Sequence, residues 1–156
     1  MAQFSSASVG NSVAASATNL AYWVLTQLTA GNIASVKAFG WGGGDTSLIA
    51  FSTRWARVNN TPATPTSLGV TSSSPGITPN STVNTYGTAA TGATAPTLGL
   101  WQQNWNSQGG GGVMVLPIGG EWRVSGGALG TTYNQLGCGC TQGTSSNLSF
   151  ALTFEE

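Results

Sequence analysis

Four carboxylates, two thiols and no histidine are the inventory from which this chain could build acid–base chemistry near neutral pH or a metal site. General acid–base work near neutral pH wants an imidazole or a carboxyl tuned by its surroundings. Asp45 and Glu121 stand far apart in sequence, and Glu155-Glu156 read as a solvated tail. Such acids make no glycosidase dyad without a defined separation across a sugar ring. Cys138-Gly139-Cys140 puts two thiols on one side of an extended chain, a spacing too constrained for an unstrained mutual disulfide. A metal site would need more ligands. The pair therefore reads as two buried reduced cysteines, with an inter-subunit contact or bridge as the alternative. The glycine runs Gly42–Gly44 and Gly109–Gly112 lack the Lys-Ser/Thr and the helix of a phosphate-cradling loop, so both are expected to be turns. No enzyme, cofactor or metal is expected.

The remaining residues with recognition chemistry are aromatic. Trp101-Gln102-Gln103-Asn104-Trp105-Asn106 places two indoles among amide side chains, as a sugar-stacking platform would. Core packing or a subunit contact fits the same residues, because a large apolar ring with one donor suits a partly buried site. Trp101 and Trp105, with Tyr86, Ile77 and Val83 from the neighbouring uncharged stretch, are the candidate assembly or glycan contacts.

Charge excludes other partners. Only 5% of the residues are charged, against about a quarter in an ordinary soluble domain, and the formal net charge is zero. Lys37, Arg54, Arg57 and Arg123 supply no basic field for nucleic acid or an anionic membrane surface. No apolar run approaches the roughly 18 residues of a membrane span. The opening MAQFSSASVGNSVAASATNL lacks the basic and apolar blocks of a secretory signal, so the sequons at Asn59, Asn80 and Asn147 are expected to be background.

The elements that must position these residues are strands. No long stripe of 3.6-residue period occurs, whereas alternation recurs along the chain. Asn19–Thr29 alternates Leu20, Tyr22, Val24 and Thr26 against Trp23, Leu25 and Gln27, predicting one dry and one mixed face. Asn32–Gly40 and Thr46–Val58 are joined through Gly42–Asp45 and form a hairpin candidate. Thr97–Asn106, Val113–Ile118, Glu121–Ser125, a weaker Thr131–Cys138, and Asn147–Glu156 follow, the last alternating cleanly through Leu148, Phe150, Leu152 and Phe154. One of Arg54 and Arg57 is expected to pair with Glu121.

Residues 59–96 differ in texture, with five prolines, abundant Ser and Thr and no charge. This reads either as an ordered extended excursion laid on a partner or as an ordinary loop, with short strands at Ser67–Thr71 and Thr82–Gly87. Together these patterns predict one all-β domain over residues 1–156: an antiparallel two-sheet β-sandwich with an N-terminal arm at 1–18 and a long uncharged loop or arm at 59–96. A jelly-roll-like connection is expected.

The leading MAQFSSASVGNSVAASATNL, the turn Leu28-Thr29-Ala30-Gly31-Asn32, Phe51-Ser52-Thr53-Arg54-Trp55-Ala56-Arg57-Val58, the loop Asn59-Asn60-Thr61-Pro62-Ala63-Thr64-Pro65-Thr66 and Gly119-Gly120-Glu121-Trp122-Arg123 carry a likeness of texture to one family. The chain resembles the small decoration, or cement, proteins of tailed-bacteriophage capsids. That resemblance implies a jelly-roll-like sandwich, a homotrimer, and the major capsid protein as partner on the outside of a virion, after synthesis in the host cytoplasm. A receptor- or glycan-binding module of a phage tail or fibre is the alternative. Charge patterning agrees with a life in contact, since residues 58–120 carry no charged side chain that neighbours would have to desolvate.

Overall fold

The computed structural model describes residues 1–13, 16–57, 66–85, 99–106, 108, 110–127, 134–142 and 146–156. The described residues form β1 (Gln3–Val13), β2 (Ser16–Gln27), β3 (Ile33–Gly43), β4 (Ala50–Arg57), β5 (Thr66–Leu68), β6 (Val70–Ser72), β7 (Ser81–Thr85), β8 (Gly99–Asn106), β9 (Gly111–Val115), β10 (Trp122–Ser125), β11 (Gln135–Gln142) and β12 (Ser146–Glu155). One sheet runs β10-β3-β12-β1-β6, with β9 also on β3, and the other runs β5-β7-β2-β11-β4-β8. Every pairing is antiparallel. The all-β class and the two antiparallel sheets expected from alternation are what the chain adopts.

The core lies between the sheets. Leu148, Phe150, Leu152 and Phe154 of β12 are buried, as their alternation requires. They meet Trp23, Trp55, Leu136 and Cys138 from the opposite sheet in one buried cluster. Trp23 stacks on Phe150 at 5.0 Å between ring centroids, and Phe39 contacts Trp55 at 5.2 Å. Each such side chain removed from water contributes about 1.5–3 kcal/mol.

Residues 1–18 are not an arm. Residues 3–13 form β1, a strand within the first sheet between β12 and β6. Its inward positions are Phe4, Ser6 and Ser8, so the buried face is partly polar and the apolar alternation is weak. The serines are accommodated by hydrogen bonds: Ser6 Oγ donates to the Gly69 carbonyl at 3.0 Å, and Trp23 Nε1 donates to Ser8 Oγ at 3.0 Å.

The β3–β4 hairpin does not form either. β3 already has β12 on one side and β9 on the other at that end, with Gly43 N–H donating to the Gly110 carbonyl at 2.9 Å. No edge of β3 is left for β4, so the chain crosses to the second sheet, where β4 pairs with β11 and β8. In β2 every side chain from Trp23 to Gln27 is buried, so the expected mixed face is a covered one. Within the uncharged stretch, residues 66–85 serve both sheets: β7 pairs with β2 and β5 with β7, while β6 pairs with β1. Residues 59–65 and 86–96 lie outside the described residues.

Candidate functional site

Trp101 and Trp105 sit on β8, the last strand of the second sheet, and their strand partners are Trp55 and Phe51. Both indoles are half-buried and pack against the core cluster. The Trp101 ring lies 5.1 Å from Phe39 and 5.1 Å from Trp41, across the sandwich. Trp105 Nε1 donates to Thr53 Oγ1 at 2.7 Å. The intervening Gln102, Gln103 and Asn104 are exposed, and Gln102 Oε1 accepts from Arg54 Nη2 at 2.7 Å.

The other candidates scatter. Val83 is fully buried, facing Leu25 across the β7–β2 pair, so it is a core residue rather than a surface contact. Ile77 is exposed beside Ile33 at a cavity of about 340 Å³ lined also by Phe4, Asn80 and Glu156. Tyr86 lies outside the described residues. The fold thus brings Trp101 and Trp105 together and leaves Ile77 and Val83 in unrelated environments.

Within the uncharged stretch 58–120, the structure leaves a set of apolar side chains exposed. β8 and β9 are consecutive strands, each at an edge of its own sheet, so the short connection between them places two strand edges along one side of the molecule. On β9, Val113 and Val115 are each 74% exposed, while Met114 packs against the core. Leu100 on β8 is exposed as well. Beyond β9, the Gly120 N–H donates to the Pro117 carbonyl at 2.9 Å, closing a turn whose Gly119 has φ of +85°. A φ of that sign favours glycine, and the turn holds Ile118 out at 99% exposure. The run Val113–Ile118 was legible as a strand, but which of its alternate residues face water depends on where β3 lies.

β9 fits closely against β3 because of what it lacks. A Cβ on Gly112 would stand 2.8 Å from the Trp41 ring, and one on Gly111 would stand 2.6 Å from the Trp41 carbonyl oxygen. Either substitution would push the strand off its partner.

A group of charged side chains borders this turn, where the Gly119 N–H donates to Glu121 Oε2 at 2.9 Å. Lys37 Nζ lies 3.0 Å from Glu121 Oε1 and 3.0 Å from Glu155 Oε2, so Lys37, not Arg54 or Arg57, is the partner of Glu121. Hydrogen bonds to Glu155 and then Glu121 raise the Lys37 ammonium above its ordinary 10.5. Glu121 is held below its ordinary 4.5, first by its own backbone N–H and then by Lys37. Nor is Glu155-Glu156 a solvated tail. Glu155 pairs with Lys37, and the Glu156 carboxylate accepts from the Asn80 N–H at 2.8 Å and the Ser81 N–H at 2.7 Å. The register of β12 beside β1 and β3 brings both acids to these partners.

No group of three or more potential metal-ligating side chains gathers among the described residues. The Cys138 thiol is buried in the core cluster. The side chain of Cys140 is outside the described set. No family model matches the sequence, and no curated protein matches it.

Proposed function

We propose that the chain is a non-enzymatic structural subunit of a virion: a jelly-roll-like, homotrimeric decoration protein that binds the outside of a phage capsid and stabilises contacts between major capsid subunits. The observation that carries this reading is the exposure of Leu100 on β8, Val113 and Val115 on β9 and Ile118 in the turn that follows, all within a stretch of chain that carries no charged side chain of its own. A permanently solitary domain gains nothing from holding apolar side chains in water, whereas a subunit covers them on assembly. Zero net charge points the same way, because little repulsion keeps copies or partners apart. The tail or fibre glycan-binding alternative drew on Trp101 and Trp105, whose rings are engaged by Phe39, Trp41 and Thr53, so no observation in the fold favours it.

Particle imaging and cosedimentation test the reading. The purified chain added to undecorated expanded capsids is expected to pellet with them and to appear as density on the outer surface. A chain that remains in the supernatant as a monomer at saturating shell concentration would overturn it.

A further inference from the structure

The outer edge of β9 has a pairing chemistry of its own. Leu116 N–H donates to the Lys37 carbonyl at 2.8 Å, and Gly43 N–H donates to the Gly110 carbonyl at 2.9 Å. Residues 110 and 116 thus turn their main-chain groups toward β3. In an antiparallel ladder these directions alternate residue by residue, so Gly112 and Met114 do the same, while Gly111, Val113 and Val115 turn theirs away. Among the described residues no strand pairs with that outer side.

Sheet edges are ordinarily guarded by a lysine, a proline, a bulge or an inward-pointing charge. β9 has none of these between Gly111 and Val115, and Pro117 comes only after the strand has ended. The first sheet's other edge, β6, is only three residues long.

We infer that β9 is a homotypic contact, pairing antiparallel with β9 of a second copy about a two-fold axis centred on Val113, so that the first sheet continues from one protomer into the next. The pattern of the strand is self-complementary in that register. Val113 faces its own counterpart, and each Val115 faces the Gly111 of the other copy, where the missing side chain leaves room. Outward groups at three positions in each copy supply about six main-chain hydrogen bonds across the axis. No charged side chain stands between residues 58 and 120, so joining two identical edges brings no like charges together and desolvates none. A neutral edge is thus matched to itself electrostatically, which an edge meeting a charged partner surface would not be.

Five residues of paired strand bury less than the roughly 1,000 Å² of a stable interface. The association is therefore expected to be weak and to depend on concentration. The inference rests on the reading of the chain as an assembling subunit, but it concerns a two-fold contact between copies, additional to the three-fold contacts of a trimer, rather than a contact with a capsid.

The test is sedimentation equilibrium and light scattering of the full chain, alone, with Val113→Pro and Val113→Lys. Proline removes an N–H that points away from β3, so the intrachain ladder is retained while the centre of the new pairing is lost. Lysine at this exposed position puts two ammonium groups opposite each other and serves if the proline variant misfolds. The expected result is a component of twice the mass of the wild type's basal species, monomer or trimer, that grows with concentration, with the dissociation constant of this doubling weakened by at least about tenfold in either folded variant. A wild type whose basal species does not double in mass at millimolar concentration would overturn the inference, as would a folded Val113→Lys chain with unchanged doubling. Capsid cosedimentation run in parallel separates the two ideas: binding to shells without pairing sinks this inference alone, and pairing without shell binding sinks the proposed function alone.

Discussion

Phe39 is the side chain through which the two sheets are most directly joined, and its truncation should be among the costliest single changes in the protein. It is 2% exposed, and its ring lies 5.2 Å from Trp55, 5.1 Å from Trp101, 5.1 Å from Trp122 and 5.6 Å from Trp41. Trp55 and Trp101 belong to the opposite sheet, so a cavity here cannot be closed by one strand shifting on its neighbour. Phe39→Ala is therefore expected to cost about 3–5 kcal/mol, the range for a buried phenylalanine whose site collapses poorly. Domains are stable by only about 5–15 kcal/mol, so this is a large fraction of the total. At about 2–4 °C per kcal/mol for a chain of this size, the midpoint should fall by roughly 6–20 °C. Phe39→Leu fills most of the space and should cost roughly 1–2 kcal/mol. Urea titration followed by tryptophan fluorescence measures both, and near-ultraviolet circular dichroism should lose intensity in Phe39→Ala, since four indoles surround the ring. If Phe39→Ala cost less than about 1 kcal/mol with an unchanged denaturant slope, the packing of the sheets through this residue would be refuted.

Acid should weaken the Lys37 cluster in a defined direction. Because the folded state holds Glu121 below 4.5, its contribution is fully present above the unfolded value and is lost as pH falls through the lower folded one. The difference in thermal midpoint between wild type and Glu121→Gln should accordingly shrink as pH is taken below that range, and a difference that persists unchanged would contradict the assignment. Lys37 behaves oppositely: its raised value makes its contribution complete below 10.5 and lost only as pH climbs through the folded value, so Lys37→Met should matter least in strong alkali. Removing the Glu156 carboxylate should loosen the segment before β7. Glu156→Ala is expected to speed amide exchange at Asn80 and Ser81, whose N–H groups it accepts, while leaving the β12 amides protected; equal protection in the variant would show that the carboxylate does not hold that segment.

Legibility followed the apolar alternation. β12 was readable because Leu148, Phe150, Leu152 and Phe154 all face inward while small or polar residues face out. β1 was not, because its inward positions include Ser6 and Ser8, whose burial is offset by hydrogen bonds to partners 63 and 15 residues away in sequence. The β3–β4 hairpin was a fair reading of a Gly/Asp turn, but strand partners are chosen by which edges remain, and β12 and β9 had taken those of β3. Trp101 and Trp105 were visible as candidates, whereas their inward packing came only with Phe39 and Thr53 in place.

By itself the sequence determined the all-strand class, the absence of a basic field, and the poverty of acid–base chemistry, because these depend on residue types and on a period of two that each strand carries locally. Tertiary structure alone decided which side of Val113–Ile118 meets water, which lysine neutralises Glu121 and Glu155, and that the uncharged stretch supplies an unguarded sheet edge. Those outcomes depend on contacts between strands far apart in the chain, and alternation along one strand says which residues share a face without saying which face is covered.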